Sequence, residues 1–168
     1  LRKGCELLKT LPLCTRVINR RVAGGVGVAG GLKTLPLCTR VIKEMHRILM
    51  QGVRGKDKAP GEFRKAQVQI GTNAKFIPPP ATEIDRLMSN LEKSMNEEPS
   101  GLQPLVRCFV VHYQFEAIHP FLDGNGRIGR ALLALMTYSN LKHSAPWLYL
   151  SAFFERNRDE YMELLFKV

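Results

Sequence analysis

A chain of 168 residues that is 45% apolar can bury one sizeable core and reads as a single globular domain. No apolar run reaches the roughly 18 residues of a membrane span, and the opening LRKGCELLKT lacks the apolar centre of a signal peptide. The net charge of +10 is concentrated early: residues 1–65 hold 15 Lys/Arg against 4 Asp/Glu, and residues 66–168 hold 10 against 11. A basic segment attracts anionic partners in general. No zinc-finger spacing or aromatic-rich RNA motif accompanies it, so it reads as a solvated face and not as a nucleic-acid site. Cys5, Cys14, Cys38 and Cys108 form no CxxC pair, which points to reduced thiols in a cytoplasmic protein.

In chain order, LKTLPLCTRVI occurs at 8–18 and again, identically, at 32–42. Two exact copies joined by the glycine-rich NRRVAGGVGVAGG do not make a solenoid, which needs several diverged repeats. Residues 1–31 are a poorly specified leader. From 34 to 50 the pattern is helical, with Pro36 in the first turn, Leu37, Val41, Met45, Ile48 and Leu49 at helical spacing, and Gly52 as the stop. GVRGKDKAPGEFR is a loop punctuated by Gly and Pro. Two short arms, Val68–Ile70 and Lys75–Ile77, flank GTN and predict a small β-hairpin. The prolines at 78–80 forbid further ladder pairing. Thr82 and Asp85 suggest a capping-box-like helix start, with Ile84, Leu87, Met88, Leu91 and Met95 as its buried stripe. Helices follow over 102–118, 125–141 and 149–167. The fold class is mainly α with one hairpin.

The chemistry concentrates in HPFLDGNGRIGR, residues 119–130. Gly124 and Gly126 allow a tight turn, and Asn125 tolerates left-handed geometry while offering an amide. The helix that starts there points free N–H groups and its positive dipole end at whatever sits in front, which suits an anion. Arg127 and Arg130, three apart, lie on one side of its first turns and suit phosphate oxygens. Asp123 beside phosphates needs a cation between, and Mg²⁺ takes one carboxylate plus phosphate oxygens. His119 adds a proton acceptor near neutral pH. A site so composed would hold a polyphosphate with Mg²⁺ and deprotonate a nucleophile.

This stretch resembles the signature of the Fic family, a His-x-Phe-x-acid-Gly-Asn-Gly-Arg-x-x-Arg pattern, at every defined position. FEAIHPF and RNRDEYMELL also look like the bacterial Fido-domain pattern, and the resemblance runs from about residue 32 to 168. It implies a Fic-type helical bundle with a β-hairpin flap beside the active site, in a domain at 32–168 cut short at both ends. It implies transfer of AMP from ATP to a Ser, Thr or Tyr hydroxyl of a target protein. By that resemblance His119 is the general base and Asp123 holds Mg²⁺. Gly124, Asn125 and Gly126 form the anion hole, Arg127 and Arg130 bind phosphates, and Phe121 anchors the loop. The target would dock along the flap, residues 63–77.

The chain departs from the family in two respects. Many members carry an inhibitory Ser/Thr-x-x-x-Glu-Gly/Asn helix that is not found here, so an inhibitory partner or a helix outside this sequence would supply that role. Relatives often carry two tyrosines where this chain has Tyr161 and Met162. Phosphotransfer, AMP removal and an inactive nucleotide-binding fragment are the alternative readings. Gly126, where the Doc branch tends to carry lysine, favours AMP transfer.

Overall fold

The computed structural model describes residues 37–51, 58–71, 75–97, 101–140 and 150–167. The first copy of the repeated peptide, the leader, Pro36 and Gly52 lie outside them. The described residues form helices α1 (Thr39–Leu49), α2 (Ile84–Asn96), α3 (Pro104–Ile118), α4 (Asn125–Asn140), α5 (Leu150–Arg156) and α6 (Arg158–Lys167), with a 3₁₀ turn at Ala81–Glu83. None of them is long and apolar enough to cross a membrane.

The pair α3 and α4, joined by the loop at 119–124, forms the centre. On it α2 packs against α3, α1 against α4 and α2, α5 against α4, and α6 against α3. Burial explains the order. Cys108, Val111, Phe115 and Ile118 of α3 and Ile128, Leu132, Leu133 and Met136 of α4 are buried. Ile84, Met88, Leu91 and Met95 give α2 the expected stripe, and Val41, Ile42 and Met45 supply α1's. Helix α3 starts with Pro104 at its first position, where a missing N–H costs nothing.

Three expectations are corrected. The small β-hairpin is not formed as strands among the described residues. Its arms meet in one antiparallel bridge, Ile70 with Phe76, closed by Ile70 N–H to Phe76 C=O at 3.0 Å and the reverse bond at 3.2 Å. Prolines begin two residues after Phe76, so no second rung can follow on that side. The tip, residues 72–74, lies outside the described residues. Thr82 does not cap α2: the chain enters through a 3₁₀ turn after Pro80, and no side chain caps it. The last helix is two, α5 and α6, meeting at Asn157. Asn157 Nδ2 donates to Phe153 C=O at 2.9 Å, the local side-chain competition that weakens asparagine inside helices.

Candidate functional site

The loop starts where α3 stops. His119 takes a left-handed conformation, φ 49° and ψ 60°, because the following Pro120 disfavours the helical well for the residue before it. Such a conformation strains a non-glycine residue by about 1–3 kcal/mol unless its surroundings over-determine it. Here they do. Arg64, buried although charged, donates from Nε to the His119 carbonyl at 2.9 Å, from Nη1 to Ala66 at 3.0 Å and from Nη2 to Pro79 at 2.5 Å. Its own N–H reaches Pro120 C=O at 2.9 Å. One guanidinium thus ties the loop, the end of α3 and the segment before α2 together, and places a cation where α3's carbonyls end.

Phe121 is fully buried, as an anchor should be. His46 of α1 stacks on it, ring centroids 3.9 Å apart and 5° from parallel. The Gly61 N–H donates to His46 Nδ1 at 2.8 Å, so the imidazole proton sits on Nε2 and is donated to the Asp123 carbonyl at 2.9 Å. Burial, the largest influence, holds His46 below its ordinary pKa, which keeps that neutral tautomer. Asn125 closes the turn. Its Oδ1 accepts from Phe121 N–H at 2.9 Å and its Nδ2 donates to Phe121 C=O at 2.8 Å. The left-handed residue of the turn is therefore Gly124, φ 81°, and not Asn125, which is helical. A side chain on Gly124 would press on Met50 Sδ and on the His46 ring. The Asn125 amide is spent on the fold, so only its backbone N–H remains for a ligand.

Gly124 caps α4 from its carbonyl, which accepts from Arg127 and Ile128 N–H at 3.1 and 3.0 Å. Helix geometry leaves the N–H groups of Asn125 and Gly126 without intrahelical acceptors. The Gly124 N–H is taken by Asp123 Oδ1 at 2.6 Å. The two arginines diverge. Arg127 Nη2 lies 4.0 Å from Asp123 Oδ2 and 3.2 Å from Met50 Sδ. Arg130 lines a cavity of about 150 Å³ together with His119, Gly126, Glu116 and Tyr161. Tyr113, Met162, Leu165 and Phe166 form its apolar wall, and Ile70 and Phe76 of the bridge line it too. Asp123 is half exposed, and no group of three or more His, Cys, Asp or Glu among the described residues could hold a metal by itself.

His119 is one of the residues that line this cavity. Its Nδ1 faces the Glu116 carbonyl at 3.4 Å. A carbonyl only accepts, so Nδ1 carries the proton and Nε2 is the basic atom. Burial, with Arg64's charge adding to it, holds His119 below its ordinary pKa, so the ring is neutral at pH 7. Arg64, His46, Glu116 and His112 were not singled out from the sequence. His46, Glu116 and His112 lie within helical stripes and Arg64 in a loop, and each looks like an ordinary surface or core position until its partners are known.

A helical domain with one glycine-closed, arginine-flanked loop between its central helices is the class so defined. The chain belongs to the Fic/DOC family, whose family model matches residues 36–137. It is similar to a protein adenylyltransferase Fic of Drosophila erecta, 40% identical over 91 residues, which are 54% of this chain and 17% of that protein. Its likeness to one of Drosophila sechellia is 42% over 74 residues, 44% of this chain and 14% of that protein. The chain therefore spans about a sixth of these relatives' length. The crystal structure of a Fic family protein from Desulfovibrio desulfuricans G20 superposes with a TM-score of 0.65 at 23% identity, covering 98% of this chain and 54% of that one. A Fic domain containing signaling protein from Bacteroides thetaiotaomicron VPI-5482 gives 0.59 at 27% identity, with 80% and 48% coverage.

Proposed function

We propose that this chain carries a protein adenylyltransferase site, moving AMP from ATP to a hydroxyl of a target protein. The observation that carries the reading is one cavity lined at once by His119, by the Gly126 end of α4, by Arg130 and by an apolar aromatic wall. A base, anion donors and room beside apolar rings are the three things a nucleotidyl transfer to a hydroxyl requires. The relatives' name, protein adenylyltransferase Fic, points the same way.

In this reading the triphosphate lies at the start of α4, on the N–H groups of Asn125 and Gly126, with Arg130 at its far phosphates and Arg127 at the outer edge. His119 Nε2 takes the hydroxyl proton. The hydroxyl oxygen then bonds to the α-phosphorus as the bond to the β-phosphate's bridging oxygen breaks, and pyrophosphate leaves. Asp123 offers the single exposed carboxylate that Mg²⁺ needs beside phosphate oxygens, and the ion when bound would neutralise charge on the leaving pyrophosphate. The Ile70–Phe76 bridge, at 63–77, is the edge along which an extended target segment would add main-chain hydrogen bonds.

The test uses ATP labelled on the α- or the γ-phosphate, with Mg²⁺ and a protein lysate. Label reaching protein from the α position is the expected result, and His119→Ala should abolish it while ATP still binds. Transfer from the γ position alone would replace the reading with phosphotransfer. Full activity in His119→Ala would remove the histidine from the role of base.

A further inference from the structure

Helix α1 presents two side chains to the loop, one turn apart: His46 and Met50, both fully buried. Met50 Sδ lies 3.2 Å from Arg127 Nη2. Both crowd the place where a Gly124 Cβ would stand, which lies 3.1 Å from Met50 Sδ and 3.4 Å from His46 Nε2. Stacking on Phe121 needs only an aromatic ring at position 46, and a hydrocarbon ring would be buried without desolvating polar atoms. The imidazole does more, because each nitrogen has its own partner. Nδ1 accepts from Gly61 N–H at 2.8 Å, and Nε2 donates to Asp123 C=O at 2.9 Å.

The Asp123 carbonyl belongs to the same peptide as the Gly124 N–H. That peptide is trans, so the two groups point in opposite directions. The bond from His46 therefore sets the direction of both. The carbonyl turns toward α1, and the N–H turns away from it, where Asp123 Oδ1 accepts at 2.6 Å. Gly124, at φ 81°, has no Cβ to resist a flip of this peptide. A flip would bring the carbonyl oxygen to the side where the N–H now points. There it would oppose an anion held by the N–H groups of Asn125 and Gly126, since an oxygen dipole repels phosphate where water is scarce.

We infer that His46 is a positioning residue for the anion turn: its Nε2–H holds the Asp123–Gly124 peptide so that an N–H, and not a carbonyl oxygen, is presented to nucleotide phosphate. The inference rests on the proposed seat of the triphosphate at the start of α4.

Two substitutions separate the bonds that His46 makes. His46→Gln places an amide Nε2 where the imidazole Nε2 stands and keeps the donor to Asp123. His46→Asn places Oδ1 where Nδ1 stands and keeps the acceptor for Gly61. Both lose the stack. For stability His46→Gln is the worse exchange, because it orphans a buried N–H, whereas His46→Asn leaves only a carbonyl short of a donor. For nucleotide the order should reverse. Isothermal titration of the whole chain with Mg²⁺-ATP is run at a temperature where circular dichroism shows each protein folded. His46→Asn should lose about tenfold in affinity, the weight of one hydrogen bond to a charged group, and His46→Gln should recover most of it. Equal affinities in the two, or weaker binding by His46→Gln, would make His46 a packing residue and overturn the inference. The parent gives a second reading with no substitution. If the bond favours ATP, ATP favours the bond by the same factor. Exchange of the His46 Nε2 proton with solvent, followed by NMR, should therefore slow on adding Mg²⁺-ATP, and unchanged exchange overturns the inference as well. No ATP binding by the parent would instead remove the nucleotide reading itself.

Discussion

Gly129 lies inside a helix, where alanine is ordinarily better by about 1 kcal/mol. Its neighbours reverse that preference. A Cβ would meet the Glu116 carboxyl and come within 3.2 Å of His112 Cε1, and Glu116 is enclosed too fully to swing away. Overpacking of this kind costs about 1–3 kcal/mol, so Gly129→Ala should lower stability in the parent. In a Glu116→Ala background the same substitution should become close to neutral, because the carboxyl clash is gone and only the 3.2 Å approach to His112 Cε1 opposes the helix preference. Urea unfolding of the four proteins checks the change, and additive effects would mean that the Glu116 carboxyl is not what selects glycine.

Arg64 acts between elements. It is the tie between the segment before α2, the end of α3 and the loop at 119–124, through side-chain bonds to three carbonyls at 2.5–3.0 Å. Lysine keeps the charge but lacks the planar fork, so Arg64→Lys leaves buried carbonyls unpaired at a cost of about 2–3 kcal/mol. Thermal unfolding should show the loss. Transfer by the fraction still folded should also fall, because the His119 carbonyl is one of the bonds given up and the imidazole loses its fixed left-handed seat. If the folded fraction of Arg64→Lys works at the parent rate, Arg64 holds elements together and does not position the base.

For the whole molecule, buried ionisable groups set the pH dependence of stability. His46, His112 and His119 all lie below the ordinary histidine value, chiefly through burial, and His112 is pushed down to about 4. A histidine depressed in this way contributes stability that is complete above pH 6.5 and is lost as pH falls toward the folded value. Glu116 has the opposite sign. Raised from 4.5 to about 7, it contributes stability that is complete below pH 4.5 and is lost as pH rises through 7. Between about pH 4.5 and 6.5 the two trends oppose each other, so the parent's Tm should rise only gently with pH. Glu116→Gln removes the opposing trend, and its Tm should climb more steeply across that window. Scanning calorimetry in buffers of low ionisation heat compares the slopes, and equal slopes would count against a buried, proton-binding Glu116.

The sequence by itself determined what depends on local chemistry. Periodic apolar residues placed α2, α3 and α4, proline and glycine placed the breaks, and twelve contiguous residues carried the histidine, the anion turn and the arginines. Phe121 was expected as an anchor through the resemblance to the Fic signature, and it is fully buried. Only the tertiary structure decided what depends on partners distant along the chain. It assigned the left-handed position to Gly124 and the Asn125 amide to the fold, and it turned Arg127 toward Met50 while Arg130 faced the cavity. It also reduced the hairpin to one bridge, since a rung needs two unhindered N–H donors and prolines follow at once. Arg64, His46, Glu116 and Tyr161 gained their meaning from groups up to 77 residues away. Hydrogen bonds and charge pairs across such separations leave no period in the sequence, because their geometry exists only once the helices have packed.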